Sequence, residues 1–140
     1  MATPRAAIGT LLQKGDGASP EVFTTVATVG NISGPGLKGD TIDVTNHDNV
    51  DRYKQFIVGL KDGGEVKFTL YFDPVETTHT GLITTFEART VGNWKLALPI
   101  SPVQSWTFAG VVTGFENKFD VNAAMTADVT IKVSGKPSFA

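Results

Sequence analysis

Alternation of apolar and polar residues is the main pattern in this sequence, and it predicts a protein built largely of β-strands. Residues 65–72 alternate most regularly, and residues 126–134 alternate in the same way. A shorter alternating stretch covers residues 94–98, and residues 105–116 indicate a longer strand with glycines inside it. Because successive side chains of a strand point to opposite faces of a sheet, each segment should bury one face.

Two further strands are predicted in the first third of the chain. Residues 22–32 are rich in valine and threonine and indicate one strand, which the sequence Gly34-Pro35-Gly36 ends. Residues 40–45 indicate another strand. Residues 1–20 contain few bulky apolar groups and predict an extended N-terminal arm, so that residues 21–140 would form a single domain.

One helix is predicted at about residues 74–91. Asp73 can cap it, Pro74 suits its first position, and Glu76 follows three residues after the cap. A single apolar stripe would then face the sheet, formed by Val75, His79, Leu82 and Phe86. The many threonines are mediocre helix formers, so this helix should depend on packing against a sheet. The fold class is therefore mainly β: an antiparallel β-sandwich or partial barrel with one flanking helix.

The connection at about residues 46–64 is unusually long for a small domain. It carries charges of both signs together with Tyr53, Phe56, Ile57 and Leu60. A connection of this length is either a functional binding loop or a disordered linker. Disordered linkers are poor in aromatic residues, so the composition favours a loop that docks on another molecule.

Composition narrows the classes of function. The 140 residues carry a net charge of −2 and no cysteine, which argues against specific nucleic-acid binding, disulfide scaffolds and thiolate metal sites. The N-terminus lacks the apolar segment of a signal peptide, and no apolar run approaches the length of a membrane span. We therefore expect a protein that is made in the cytoplasm and does not enter a membrane.

Two short motifs look like ligand sites but fit poorly. Residues 34–39 match G-x-G-x-x-G, yet a strand rather than a helix should follow, so a plain turn is favoured over a nucleotide site. Residues 46–51 (NHDNVD) gather oxygen ligands, but Val50 breaks the alternation that a calcium loop needs and the required glycine is missing. We expect no metal and no cofactor.

No arrangement of residues predicts catalysis. His47 and His79 are the only histidines, and His79 lies on the apolar stripe of the helix, where a buried structural histidine is expected. Trp94 and Trp106 could form a stacking platform for sugars, which would make the protein a monomeric binding module. Their alternation with small residues favours a packed core instead, and we predict that the protein is not an enzyme.

The order of these features resembles the major tail tube proteins of long-tailed bacteriophages with non-contractile, siphovirus-type tails. No single motif carries the resemblance, but the ordered set covers nearly the whole chain. The segments are Gly15-Asp-Gly-Ala-Ser-Pro-Glu-Val-Phe23, Ile32-Ser-Gly-Pro-Gly-Leu37, Asp40-Thr-Ile-Asp-Val-Thr45, Phe56-Ile-Val-Gly-Leu-Lys-Asp-Gly-Gly-Glu65, Trp106-Thr-Phe-Ala-Gly-Val-Val-Thr-Gly-Phe115 and Val129-Thr-Ile-Lys-Val-Ser-Gly-Lys-Pro-Ser-Phe139.

The resemblance implies a virion protein that self-assembles into hexameric rings, which stack into a hollow tube for genome ejection. It also implies partners: further copies of the same chain, the tail initiator or baseplate, and the tape-measure and tail-terminator proteins. DNA would pass through the lumen without specific binding. The tube protein of type VI secretion is the nearest functional alternative. Some relatives carry a C-terminal immunoglobulin-like domain, which we expect to be missing here.

On this interpretation the long loop reaches the adjacent ring, with Tyr53, Phe56, Ile57 and Leu60 as apolar anchors. Its charged residues would set the register between rings: Asp48, Asp51, Arg52, Lys54, Lys61 and Asp62. The lumen should be neutral to acidic, because a lysine-rich wall would hold phosphates. Asp128 and Thr130, on the polar face of a long strand, are candidates for that lumen surface.

Overall fold

The computed structural model describes residues 3–17, 19–100 and 102–140, and these form nine strands and one helix. The elements in chain order are β1 (Leu11–Gly15), β2 (Phe23–Thr25), β3 (Val29–Ser33), β4 (Lys38–Asp43), β5 (Phe56–Asp62), β6 (Glu65–Tyr71), α1 (Thr77–Ala88), β7 (Gly92–Ala97), β8 (Ser105–Lys118) and β9 (Thr126–Phe139).

Seven strands form one antiparallel sheet in the order β2-β1-β7-β8-β9-β6-β3, and β4 and β5 form a separate two-stranded sheet. The long strands β8 and β9 pair at the centre, with Trp106 opposite Phe139 and Lys118 opposite Thr126. The predicted fold class is confirmed. The seven-stranded sheet does not close into a barrel, because its edge strands β2 and β3 do not pair with each other.

The two edge strands of the sheet are nevertheless consecutive in the chain. Only residues 26–28 join β2 to β3, and a connection of that length spans at most about 14 Å. The N–H of Val26 donates to the carbonyl of Leu12 in β1, and the N–H of Tyr71 in β6 donates to the carbonyl of Thr28. The sheet must therefore curl until its edges nearly meet, which makes it an open barrel.

The core lies inside this curled sheet. Its largest buried side chains include Trp94, Leu70, Ile131 and Leu82, the last contributed by α1. The alternation predicted for residues 65–72 and 126–134 is confirmed, because Val66, Phe68 and Leu70 and the facing residues of β9 are buried while the intervening positions are at least partly exposed. The Trp94 indole N–H donates to the carbonyl oxygen of Gly110 at 3.2 Å, which satisfies its only polar group.

Helix α1 is shorter than predicted. Glu76, not Asp73, is the N-cap, and its carboxylate accepts from the N–H of Thr78. Asp73 and Pro74 form a preceding turn instead, in which an Asp73 carboxylate oxygen accepts from the N–H of Val75. Val75 therefore lies outside the helix and is exposed, and Phe86 is exposed as well while Thr85 beside it is buried, so the predicted stripe is wrong at Val75 and Phe86. The helix ends at Arg89, which adopts the left-handed conformation.

Buried His79 holds the helix to the connection between the sheet edges. Its Nδ1 accepts from the N–H of Asp73 at 3.0 Å, so Nε2 carries the proton and donates to the carbonyl of Ala27 at 2.6 Å. Thr78 Oγ1 accepts from the N–H of Ala27. The prediction of a buried, hydrogen-bonded histidine at this position is confirmed.

Three predicted boundaries need correction. Residues 22–32 form two strands, β2 and β3, because Thr28 takes a positive φ that interrupts the extended chain. The segment predicted as an N-terminal arm contains β1, whose Leu12 is fully buried between β2 and β7. The connection predicted at about 46–64 is shorter, because residues 56–62 form β5 paired with β4.

Candidate assembly surface

A β-hairpin formed by β4 and β5 stands apart from the seven-stranded sheet and exposes several large apolar side chains. Strands β4 and β5 pair antiparallel, with Ile42 opposite Ile57 and Asp43 opposite Phe56. Residues of β4 are exposed along its whole length, and β5 is only slightly less exposed. A two-stranded hairpin that packs on nothing is marginally stable in water. This hairpin is therefore expected to be stabilised by something that covers it.

Both faces of the hairpin are apolar. Since residues directly opposite each other share a face, Ile42 and Ile57 lie on one face and Thr41 and Val58 on the other. The exposed fractions are 52% for Ile57, 53% for Phe56, 76% for Val58 and 84% for Leu60. A hairpin in a monomeric protein normally turns one polar face to water. Two apolar faces fit a hairpin that is inserted between partners.

The tip of the hairpin is ordered by short-range hydrogen bonds. The N–H of Val44 donates to the carbonyl of Gln55, which extends the pairing beyond β4. Asn46 Oδ1 accepts from the N–H of Asp48, and Asn49 Oδ1 accepts from the N–H of Asp51, two local Asx turns. The tip thus has the hydrogen-bonded loop predicted for NHDNVD, and the described residues contain no group of three acidic or histidine side chains that could hold a metal.

The base of the hairpin is fixed to the barrel by one ion pair and two glycines. Lys132 Nζ lies 3.1 and 3.2 Å from the two carboxylate oxygens of Asp62. The N–H of Gly64 also donates to Asp62, and these two contacts lower the pKa of that carboxyl group below its ordinary value. Gly63 packs against Val133, and a Cβ atom there would lie 2.6 Å from its Cγ1.

The structure brings most of the predicted ring-stacking residues together on this hairpin. Tyr53, Phe56, Ile57 and Leu60 are all exposed on it. Five predicted charged residues are exposed along it and form no salt bridge within the described part of the chain: Asp48, Asp51, Arg52, Lys54 and Lys61. The sixth, Asp62, pairs with Lys132 of the same chain, which leaves it less available for setting register between rings.

Sequence reasoning missed part of the apolar surface. Val58 in β5 and Ile42 in β4 are about as exposed as the predicted anchors, and Val44 next to β4 is exposed to a smaller extent. The apolar sequence of β5 gave a signal for Val58, but β4 has Ile42 as its only large apolar side chain, and pairing with β5 was needed to place it on the hairpin.

The two predicted lumen residues lie on the outer face of the barrel. Asp128 accepts a hydrogen bond from Thr69 Oγ1 at 2.8 Å and forms a salt bridge of 2.8 Å with Lys118. Lys118 and Thr69 lower the pKa of Asp128, and that carboxylate in turn raises the pKa of Lys118. Thr130 is the next outward residue of β9. This face carries charges of both signs, with Lys67 and Lys132 alongside.

The sugar-platform alternative is contradicted by burial. Trp94 is completely buried, and Trp106 packs against Phe139 with ring centroids 4.9 Å apart. The two indoles therefore do not form an exposed aromatic surface. Among the described residues, no helix is long and apolar enough to cross a membrane.

The comparisons with known proteins agree with this architecture. No curated protein matches the chain. A solved structure of the tail of an empty gene transfer agent particle, refined with C6 symmetry, has a TM-score of 0.74 at 18% identity, covering 93% of this chain and 95% of that one. The structure of the SPP1 tail tube has a TM-score of 0.68 at 10% identity, covering 93% of this chain and 74% of that one.

A subunit from the baseplate of the anti-feeding prophage, six-fold symmetrised, gives a TM-score of 0.75 at 8% identity, covering 100% of this chain and 97% of that one. At such low identities these likenesses show a shared fold. The sequence itself gives the finer assignment, because residues 9–140 match the family described as "Lambda phage tail tube protein, TTP". The chain belongs to the lambda phage tail tube protein family.

Proposed function

We propose that this protein forms hexameric rings that stack into the hollow tube of a siphovirus-type phage tail, the conduit for genome ejection. The observation that supports this most directly is the hairpin of β4 and β5, apolar on both faces and exposed in the single subunit. Large exposed apolar patches mark interaction sites, and this one belongs to a tail tube protein.

The hairpin supplies the ring-to-ring contact in this proposal. Phe56, Ile57 and Leu60 insert against the neighbouring ring, and Tyr53 extends the same apolar surface towards the tip. Burial of each such side chain contributes roughly 1.5–3 kcal/mol. Arg52, Lys54 and Lys61 face Asp48 and Asp51 of adjoining subunits and set the register, which is the usual role of charges at an interface rim.

The proposed setting is the virion, with assembly in the host cytoplasm. Initiator or baseplate, tape-measure and tail-terminator proteins begin, measure and end the tube. DNA slides through the lumen, which requires a wall that does not hold phosphates. The outer barrel face around Asp128 and Thr130 suits such a wall, because its lysines are matched by carboxylates such as those of Asp62 and Asp128.

Electron microscopy tests the proposal. Concentrated protein, with the tail initiator co-expressed if the protein alone stays dispersed, should give rings and tubes in negative stain. The double variant Phe56→Ser/Leu60→Ser should abolish stacking while leaving the circular dichroism spectrum unchanged, because both side chains are exposed in the subunit. The control variant Val22→Ser/Val103→Ser removes two exposed apolar side chains outside the hairpin and should still assemble. Normal tubes from a folded Phe56→Ser/Leu60→Ser protein would refute the role of the hairpin.

A further inference from the structure

An apolar crevice of about 600 Å³ lies between the hairpin and the end of β9. Leu37, Val58 and Pro137 form its apolar lining, and Gly63 and Gly135 leave it open. The lining presents far more apolar than polar surface. We call it the hairpin crevice.

The rim of the hairpin crevice is basic. Lys38, Lys61 and Lys136 line it, and none of them forms a salt bridge within the described residues. Asp62 is the one carboxylate among the described lining residues, and Lys132 already pairs with it. An occupant should therefore carry apolar side chains beside a carboxylate.

The turn between β8 and β9, residues 119–125, has that chemistry. Its apolar side chains are exposed, and Val121 is 99% exposed. Asp120 lies between Phe119 and Val121 and forms no salt bridge within the described chain. Glu116 adds a second carboxylate close by on β8.

The turn and the crevice lie at opposite ends of the same strand. Thr126 begins β9 next to the turn, and Lys136 lies ten residues further along at the crevice. At about 3.3 Å per residue the separation is roughly 30 Å, so a subunit cannot fill its own crevice with its own turn. A contact between opposite ends of two copies is heterologous, and a heterologous contact that does not close into a ring builds a filament.

We propose that the turn at residues 119–125 of one subunit inserts Phe119 and Val121 into the hairpin crevice of a second copy in the adjoining ring, with Asp120 against the lysine rim. This inference rests on the proposed tube function and deepens it. The hairpin would then act both as an insert and as one wall of a socket for the turn of the next copy.

Cysteine pairs provide a clean test because the natural chain has no cysteine. The variant Leu37→Cys/Val121→Cys places one thiol in the crevice and one on the turn, both at exposed positions. Under mild oxidation, each subunit should join the next, and a non-reducing gel should show a ladder of dimers, trimers and longer species. The control pair Leu37→Cys/Ile8→Cys has a second thiol at a position that is 88% exposed and lies away from the turn, and it should give mainly dimers.

We expect at least about tenfold more trimers and longer species from the crevice–turn pair than from the control pair, because docking raises the effective concentration of the thiols. Tubes in the microscope without such a ladder would overturn this inference and leave the proposed function standing. If neither tubes nor a ladder form with folded protein, both proposals fail.

Charge exchange provides a second test. Asp120→Lys should slow formation of the ladder by about fivefold at low salt, since like charges then face each other across the rim. Adding Lys136→Glu to that chain should restore most of the rate, and high salt should reduce the difference because it screens exposed charges. Failure of Asp120→Lys to slow the reaction at low salt would contradict the charged rim as the recognition element.

Discussion

Gly64 at the base of the hairpin should be one of the least replaceable residues in the chain. Its φ is +73°, and a Cβ atom there would overlap the carbonyl oxygen of Gly36 and lie 2.7 Å from the carbonyl carbon. Gly135 has a similar φ of +78°, but a Cβ atom there would meet nothing within 4 Å. The two alanine variants therefore share the conformational cost and differ only in the close backbone contact.

The expected losses in the free energy of unfolding of the two variants follow from that difference. The left-handed conformation costs a non-glycine residue roughly 1–2 kcal/mol, so Gly135→Ala should lower the free energy of unfolding by about that amount. Gly64→Ala adds the shift of a backbone segment that overpacking forces, typically about 1–3 kcal/mol. Loss of unfolded-state entropy on changing glycine to alanine is the same for both variants and cancels in the comparison.

The free energies of unfolding of both variants can be measured by urea unfolding followed by tryptophan fluorescence, since Trp94 moves from full burial to water on unfolding. The hairpin should also be displaced in Gly64→Ala, so tube formation should be impaired even where the barrel remains folded. Equal destabilisation of the two variants, within about 0.5 kcal/mol, would refute the argument that the close approach to Gly36 fixes the hairpin.

Three further predictions concern other parts of the molecule. His79→Ala should lower the free energy of unfolding by about 3 kcal/mol, because it leaves the Asp73 N–H and the Ala27 carbonyl without partners. His47→Ala in the exposed tip should change it by less than about 0.5 kcal/mol. Similar losses for the two variants in urea unfolding would contradict this prediction. The pKa of Asp128 is lowered in the folded state, so its stabilising effect should be present above the ordinary aspartate pKa and disappear as the pH falls through the folded value. Urea unfolding at a series of pH values should therefore show a gap between the natural protein and Asp128→Asn that narrows below about pH 4, and a constant gap would exclude the salt bridge with Lys118 as its cause. Leu60→Ser should leave the free energy of unfolding unchanged within about 0.5 kcal/mol, since the side chain is already in water, and a larger loss in thermal or urea unfolding would mean that the hairpin packs on its own subunit.

Regular alternation allowed the central strands to be predicted from the sequence. Residues 65–72 and 126–134 each bury every second side chain, and this local period of two needs no knowledge of the partner strand. The presence of a helix in this region was also predictable from the sequence, but the residue at which it begins was not. Asp73 and Glu76 can both cap a helix; Glu76 is the cap in the structure, and His79 in the first turn that follows it is hydrogen-bonded to Ala27, far away in the sequence.

The apolar surface was only partly predictable. Tyr53, Phe56, Ile57 and Leu60 were identified because aromatic and aliphatic residues are unusual in a long connection. Their arrangement on a hairpin was not, because pairing of β4 with β5 joins residues separated by up to 24 positions in the sequence. The missed residue Ile42 became part of the same hairpin only through that pairing.

By itself, the sequence determined that residues 65–72, 94–98 and 126–134 are strands with one apolar face, and which connection carries unexplained apolar side chains, since these properties depend on neighbours in the chain. The tertiary structure decided where the strands go. It placed β2 and β3 at opposite edges of one curled sheet although three residues join them, and it buried Trp94 while leaving Leu60 in water. Hydrogen bonds between strands and the closing of the core depend on residues far apart in the chain, and no local pattern contains that information.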